Sequence, residues 1–430
     1  MYQRQVLDGR GNSAVATRPI AAGACVLKCD PCSAVPLDMS TTCAYCFAPG
    51  ARRCGLCKVM HYCSRPCQLA DWAVHGVECK YLAAHLHANP MTPTLLLATR
   101  ILRLPSLMGA VAHLVPNWDA HLASQREQYL SMGALVLSVL ARMKPKTMPI
   151  LPTLETAATL FAQLNCNAFT VCTLEHVPVG IGMYPEAALL NHSCAPNCII
   201  TFHKRQLQIR AIRPIPSGEE LTVSYIELMA THHDRQDELR ASYFFTCQCS
   251  RCLTPEPSDL TALVDTVDRA TDVHLQVHQL EAMADEMEGR QETRGAVDAR
   301  LRALALAQSI YGPRHVALTL AMETTANLIT STQHAPRRTA ADMDTAAGLY
   351  TAVLANHSHV HGPWTMDAFR GLCTLKLARL LLDMHAFAAA LPHARDACRL
   401  LSITHGDDAS IVTDAVATLH EIQANVVLLH

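Results

Sequence analysis

The chain has 430 residues, of which half are hydrophobic and 17% charged, with a formal net charge of −2. That composition suits a large packed core in two or three domains and excludes a disordered chain. It also lacks the basic excess of a duplex binder, so nucleic acid is not the expected main ligand.

No run of about 18 apolar residues occurs, and Met1 to Gly11 carries no apolar stretch, so neither a membrane span nor secretion is expected. Nineteen cysteines in a reducing compartment then point to metal rather than to disulfides. The glycosylation sequons at Asn191 and Asn356 have no meaning in that setting.

In chain order, the first 42 residues read as short strands around the glycine-flanked turn Gly9-Arg10-Gly11-Asn12, where backbone can approach a ligand closely. Cys29 and Cys32 have no matching pair nearby and read as structural. Residues 43 to 79 hold Cys43-x2-Cys46, Cys54-x2-Cys57, Cys63-x3-Cys67 and His75-x3-Cys79. Pairs so closely spaced let both side chains reach one ion, and the eight ligands suffice for two closed tetrahedral zinc sites. Trp72, in the helix-like run Gln68 to His75, reads as packing. Arg52, Arg53, Lys58 and Arg65 make this segment basic, either as a solvated face or as a partner-binding one.

Residues 80 to 164 have helical spacing, as at Leu95, Ala98, Ile101 and Leu102. Pro145, Pro149 and Pro152 mark a connector before a helix from Leu154 to Leu164. Asn191-His192-Ser193-Cys194 and Ala195-Pro196 predict a tight polar loop. Ile199 to Phe202 and Leu207 to Ile212 predict a β-hairpin. Pro214, Pro216 and Gly218 break the chain before a last strand, Glu219 to Tyr225. A polar helix through His232 to Glu238 leads to Tyr243-Phe244-Phe245. Cys247, Cys249 and Cys252 then offer three ligands, one short of a tetrahedral site. From about residue 258, Ala and Leu recur at helical spacing. Tyr311-Gly312-Pro313, His361-Gly362-Pro363 and His405-Gly406-Asp407 each stop a helix, which suggests helix pairs stacked like tetratricopeptide repeats.

Loop, hairpin, Pro/Gly break and a strand ending in tyrosine, in that order, resemble the core of SET-domain lysine methyltransferases. With Asn167-Ala168-Phe169 upstream and the cysteine triplet downstream, nearly the whole chain resembles the SET and MYND domain-containing protein-lysine methyltransferase family. The resemblance implies a multi-domain α+β fold: an N-terminal SET segment (1–42), a MYND zinc finger (43–79), a helical insert (80–164), the β-rich SET core (165–228), a zinc-binding segment after it (229–257) and an all-α, tetratricopeptide-like domain (258–430). It pairs the finger ligands in interleaved fashion, Cys43, Cys46, Cys63 and Cys67 on one zinc and Cys54, Cys57, His75 and Cys79 on the other. It nominates Cys194 as the fourth ligand of Cys247, Cys249 and Cys252, so that a third zinc would clamp two walls of the active site together.

The activity implied is methyl transfer from S-adenosylmethionine to a protein lysine, on histones or other proteins. Arg10, Asn12, Asn167, Asn191 and His192 match cofactor-holding positions, and Phe245 matches the aromatic that packs on the adenine. Phe169, Tyr225 and Tyr243 match the lysine channel, with Tyr225 the principal catalytic residue, as an orienting and electrostatic group, and also beside the cofactor. In-line displacement needs a straight approach more than a strong base, and positioning alone is worth about 7–11 kcal/mol. A monomer in cytoplasm and nucleus is expected, with a proline-containing peptide as a further partner of the finger. A rival reading is an interaction scaffold or transcriptional co-regulator with a vestigial SET core; a third is a zinc-dependent DNA binder.

Overall fold

Short segments near the N-terminus and after position 168 build small, mostly antiparallel sheets, and the alanine- and leucine-rich runs build helices. The computed structural model describes residues 1–7, 10–50, 52–85, 91–143, 150–263, 267–331, 338–361 and 368–428. Gly9, Pro145, Pro149, Gly362 and Pro363 lie outside the described residues.

β1 (Tyr2–Leu7) pairs with β2 (Gly11–Ala16), and Gly11 has φ +66°, a conformation that favours glycine. β3 (Cys25–Cys29) joins the hairpin of β10 (Cys198–His203) and β11 (Gln206–Ala211). β4 (Ser33–Pro36) joins β8 (Pro178–Met183) and β7 (Ala168–Cys172). The predicted hairpin is therefore present, turning at Lys204. Two expectations differ. Asn191–His192, expected as loop, forms β9, and the strand expected over Glu219–Tyr225 shrinks to β12 (Thr222–Val223), which pairs with β9 in parallel. Side-chain chemistry favouring turns is overridden here by pairing between segments distant in sequence, which a local reading does not see.

In the cysteine-rich segment, β5 (Arg52–Arg53) pairs with β6 (His61–Tyr62). The helix expected at Gln68 to His75 is longer: α1 runs from Arg65 to His85, across positions 79 and 80. α2 (Pro93–Leu102) has Pro93 in its first turn and Thr92 capping Leu95 N–H. After α3 (Pro105–Val111), α4 (Ala123–Met143) packs on α5 (Leu154–Asn167), which extends three residues past Leu164. Finger and insert share one core, in which Cys43, Cys57, Met60 and Leu82 lie with Leu97, Ile101, Val136 and Phe161.

α6 (His232–Tyr243) begins at a Thr231 cap and ends on Phe244 at φ +63°; α7 (Ser250–Leu253) follows. The C-terminal helices are α8 (Val267–Gly289), α9 (Thr293–Ile310), α10 (Val316–Thr330), α11 (Ala340–His361), α12 (Ala368–Asp383), α13 (Phe387–His405) and α14 (Ser410–Leu428). Successive helices pack in pairs, and the stops at Tyr311, His361 and His405 fall at helix ends as expected. Gly406 has φ +87°, and a Cβ there would collide with the Arg210 guanidinium of β11. A helix stop is thus also the point where the helical region meets the β-rich one. Among the described residues, no single helix is long and apolar enough to cross a membrane.

Candidate active site and metal clusters

Twelve cysteine and histidine side chains converge in three groups of four: Cys43, Cys46, Cys63 and Cys67; Cys54, Cys57, His75 and Cys79; and Cys194, Cys247, Cys249 and Cys252. Sulfur separations of 3.5 Å (Cys46 to Cys63), 3.8 Å (Cys54 to Cys79) and 4.0 Å (Cys194 to Cys247) are far longer than a disulfide. They match the roughly 3.8 Å expected of two thiolates on one tetrahedral zinc at about 2.3 Å each. The donor sets fit zinc, in the groupings that the resemblance implies.

The second group has a supporting shell. His75 is fully buried with Nε2 3.6 Å from Cys57 Sγ, while its Nδ1 has no hydrogen-bond partner and lies 3.7 Å from Glu78 Oε1. An imidazole whose second nitrogen faces a carboxylate is the usual arrangement of a metal-bound histidine. Burial alone would raise the Glu78 carboxyl, yet Arg100 at 2.5 Å, with His75 and Arg103, holds it down to about 2. Arg100 in turn donates to the Ala34 carbonyl of β4 at 2.9 Å. Phe47, at φ +62°, lies so close to Gly180 of β8 that a Cβ there would stand 2.7 Å from its ring. The finger is thereby fixed to the β-rich core at two places. Its Arg52, Arg53, Lys58 and Arg65 are exposed, and Trp72 is half-exposed, edge-on to His75.

Two cavities meet at Tyr225. The first, of about 680 Å³, is lined by Arg10, Asn191, His192, Tyr225, Phe245, Thr246, Cys247 and Gln248. The second, of about 280 Å³, has Asn167, Phe169, Tyr225 and Tyr243 in its wall, together with Cys172 and His176. β9 lines the larger cavity, and Tyr225, two residues after β12, is common to both. Tyr225 N–H donates to His192 Nδ1 at 3.0 Å and its hydroxyl donates to the Leu190 carbonyl at 2.7 Å. The Tyr243 ring lies 4.9 Å from that of Tyr225, and its hydroxyl donates to the Tyr225 carbonyl. Burial, then the neighbouring Tyr243, push the Tyr225 phenol well above its ordinary range, so it stays protonated at neutral pH. Burial also lowers His192 to about 4, which keeps it neutral and able to accept from Tyr225 N–H.

The third cysteine group backs the larger cavity. Cys247 lines it, and Cys194, two residues after His192, lies 3.5 Å from Cys252 and 3.2 Å from His192 Nε2. In the same cavity, Arg10 pairs with Glu220 at 2.7 Å and donates to the His192 carbonyl at 3.0 Å. Asn191 Nδ2 donates to Glu220 at 2.9 Å and to Ser13 Oγ at 2.9 Å.

Arg10, Asn191, His192, Tyr225 and Phe245 are thus brought around one cavity, and Asn167, Phe169, Tyr225 and Tyr243 around the other. Asn12 lines neither; its Oδ1 accepts from Arg4 at 3.1 Å. Asn167 closes α5 and donates to the Gln163 and Val115 carbonyls, so it faces the smaller cavity instead of the larger. Glu220 is the polar group that sequence reasoning missed. Its place beside Arg10 depends on the pairing of β2 with the segment before β12, and no local signal carries that.

The SET domain family model matches residues 11–226. The chain is 28% identical over 438 residues to Histone-lysine N-methyltransferase SMYD3 of Mus musculus, covering 97% of this chain and 96% of that protein. The human SMYD3 is likewise 28% identical, over 434 residues. N-lysine methyltransferase SMYD2 of Bos taurus is 34% identical over 267 residues, 59% of this chain and 60% of that protein.

Proposed function

Because the chain belongs to the SET domain family, we propose that it is a protein-lysine N-methyltransferase using S-adenosylmethionine, active on lysines of histone or other proteins, in cytoplasm and nucleus. The observation that carries this reading is the junction at Tyr225. A larger cavity with polar and charged walls and a smaller aromatic one share that residue, as a reaction joining two separate substrates in line requires. Similarity to methyltransferases along almost the whole chain supports it independently.

In this reading the larger cavity takes the cofactor, which supplies when bound a methyl group on a positively charged sulfur. Arg10 offers further N–H donors to its carboxylate, Asn191 lines the same cavity with its amide protons held by Ser13 and Glu220, and Phe245 offers a flat apolar face to its adenine. Phe169 and Tyr243 line the aliphatic stem of the target lysine. The Tyr225 hydroxyl, its own proton committed to the Leu190 carbonyl, presents lone pairs that can accept an N–H of the amine and aim its nitrogen. A phenol held protonated orients and does not deprotonate, so the lysine must arrive neutral. Domain limits follow the same reading, with the SET parts at 1–42 and 165–228 and the intervening finger and insert at 43–79 and 80–164.

Two measurements test it. Calorimetry with S-adenosylmethionine should show one bound equivalent; no heat, with a proline-containing peptide still binding the finger, would favour the scaffold reading. Tyr225→Phe should keep cofactor affinity and melting temperature while slowing transfer of labelled methyl by about a hundred-fold or more. Unchanged turnover would remove Tyr225 from the mechanism.

A further inference from the structure

Away from the cysteine groups and both cavities, α8 carries His274 and His278 one helical turn apart on its exposed face, with their Nε2 atoms 3.0 Å from each other. Each ring has an oxygen at its other nitrogen. The Tyr311 hydroxyl is 2.5 Å from Nδ1 of His274, and Glu281 Oε2 is 3.4 Å from Nδ1 of His278. Tyr311 is itself held, stacked on His315 at 4.1 Å and bonded in register with Leu263. When both rings donate their Nδ1 protons to these oxygens, two Nε2 lone pairs are left facing each other. In that tautomer the two lone pairs can chelate a cation lying between them; in the other, with the Tyr311 hydroxyl donating to His274, the two Nε2 atoms share a hydrogen bond.

We propose that His274 and His278 form a site for a divalent transition ion, with Tyr311 and Glu281 as the supporting shell that fixes each ring's tautomer and direction. Nitrogens 3.0 Å apart, at metal distances of about 2.0–2.1 Å, subtend an angle near 90°. Two tetrahedral ligands would stand roughly 3.3 Å apart. Imidazole nitrogen suits Ni²⁺ and Cu²⁺, with water in the remaining positions. The site is therefore chemically distinct from the thiolate groups, which favour zinc.

The test uses the full-length, zinc-loaded protein without an affinity tag, titrated with Ni²⁺, a probe less prone than Cu²⁺ to oxidise thiols. Heat and released zinc are followed together. One Ni²⁺ equivalent should bind with no zinc released, and His274→Ala and His278→Ala should each weaken binding about ten-fold or more. Both side chains are exposed, so melting temperatures without added nickel should be unchanged. Tyr311→Phe should retain the site with roughly ten-fold lower affinity, the usual effect of losing a supporting group. Uptake by both histidine variants equal to that of the unaltered chain, or uptake matched one for one by zinc release, would overturn the assignment.

Discussion

The two halves of this chain hold themselves together by different means. Up to Cys252, twelve side chains are gathered in three groups that fit zinc, from segments up to 58 residues apart. Beyond it, alanine and leucine faces such as Ala296, Ala303, Leu318, Ala346 and Leu377 close on one another with no such group among the described residues. Thiolates converging on one ion fix geometry where strands are only two residues long, whereas a stack of amphipathic helices needs apolar area alone. Both cavities that share Tyr225 are lined by residues of the first half.

Metal removal should separate the halves most sharply. Each structural zinc contributes about 10–16 kcal/mol of apparent binding energy. A strong chelator should therefore unfold residues 43–79 and the Cys247–Cys252 wall while helical circular dichroism from α8 to α14 persists. Amide exchange that rises uniformly over the whole chain would erase the distinction. Glu78→Gln should come next. It leaves the Arg100 and Arg103 guanidiniums buried beside a neutral group and should cost about 3–5 kcal/mol, read as a lower denaturation midpoint with faster zinc loss from the finger. Leu377→Ala, at a 1% exposed position, should cost about 2–5 kcal/mol, lower the melting of the helical half and leave cofactor binding intact.

The smallest expected effect probes the seam between the halves. Burial, with His176 beside it, lowers His405 from 6.5 to about 4, although the Leu174 carbonyl and Glu175 favour its charged form and Arg210 does not. A histidine with a depressed folded value adds stability that is full above about 6.5 and is lost as pH falls towards about 4, because the unfolded chain binds the proton first. Melting should drop over that window, and His405→Gln should flatten the slope. An equal slope in the variant would assign the effect elsewhere.

Local chemistry made much of this molecule legible in advance. Cysteine pairs with two or three residues between them announce knuckles, prolines and glycines mark breaks, and helical periodicity beyond residue 258 needs no partner to be recognised. Asn191, His192 and Tyr225 were reachable only because their order resembles a known family, since each alone reads as a turn or a strand end. Glu220 was not legible, nor was the run of α1 past Cys79, nor the placement of Asn12 outside both cavities.

The sequence by itself thus determined the donors, the breaks and the helical faces, all of which are set within a few residues by side-chain chemistry and backbone freedom. Which distant donors share a group was implied by the family resemblance and not by local chemistry, and only the tertiary structure decided that β9 and β12 pair in parallel and that Tyr225 stands between two cavities. Those outcomes depend on contacts between segments far apart in the chain, and their free energy belongs to the packed whole.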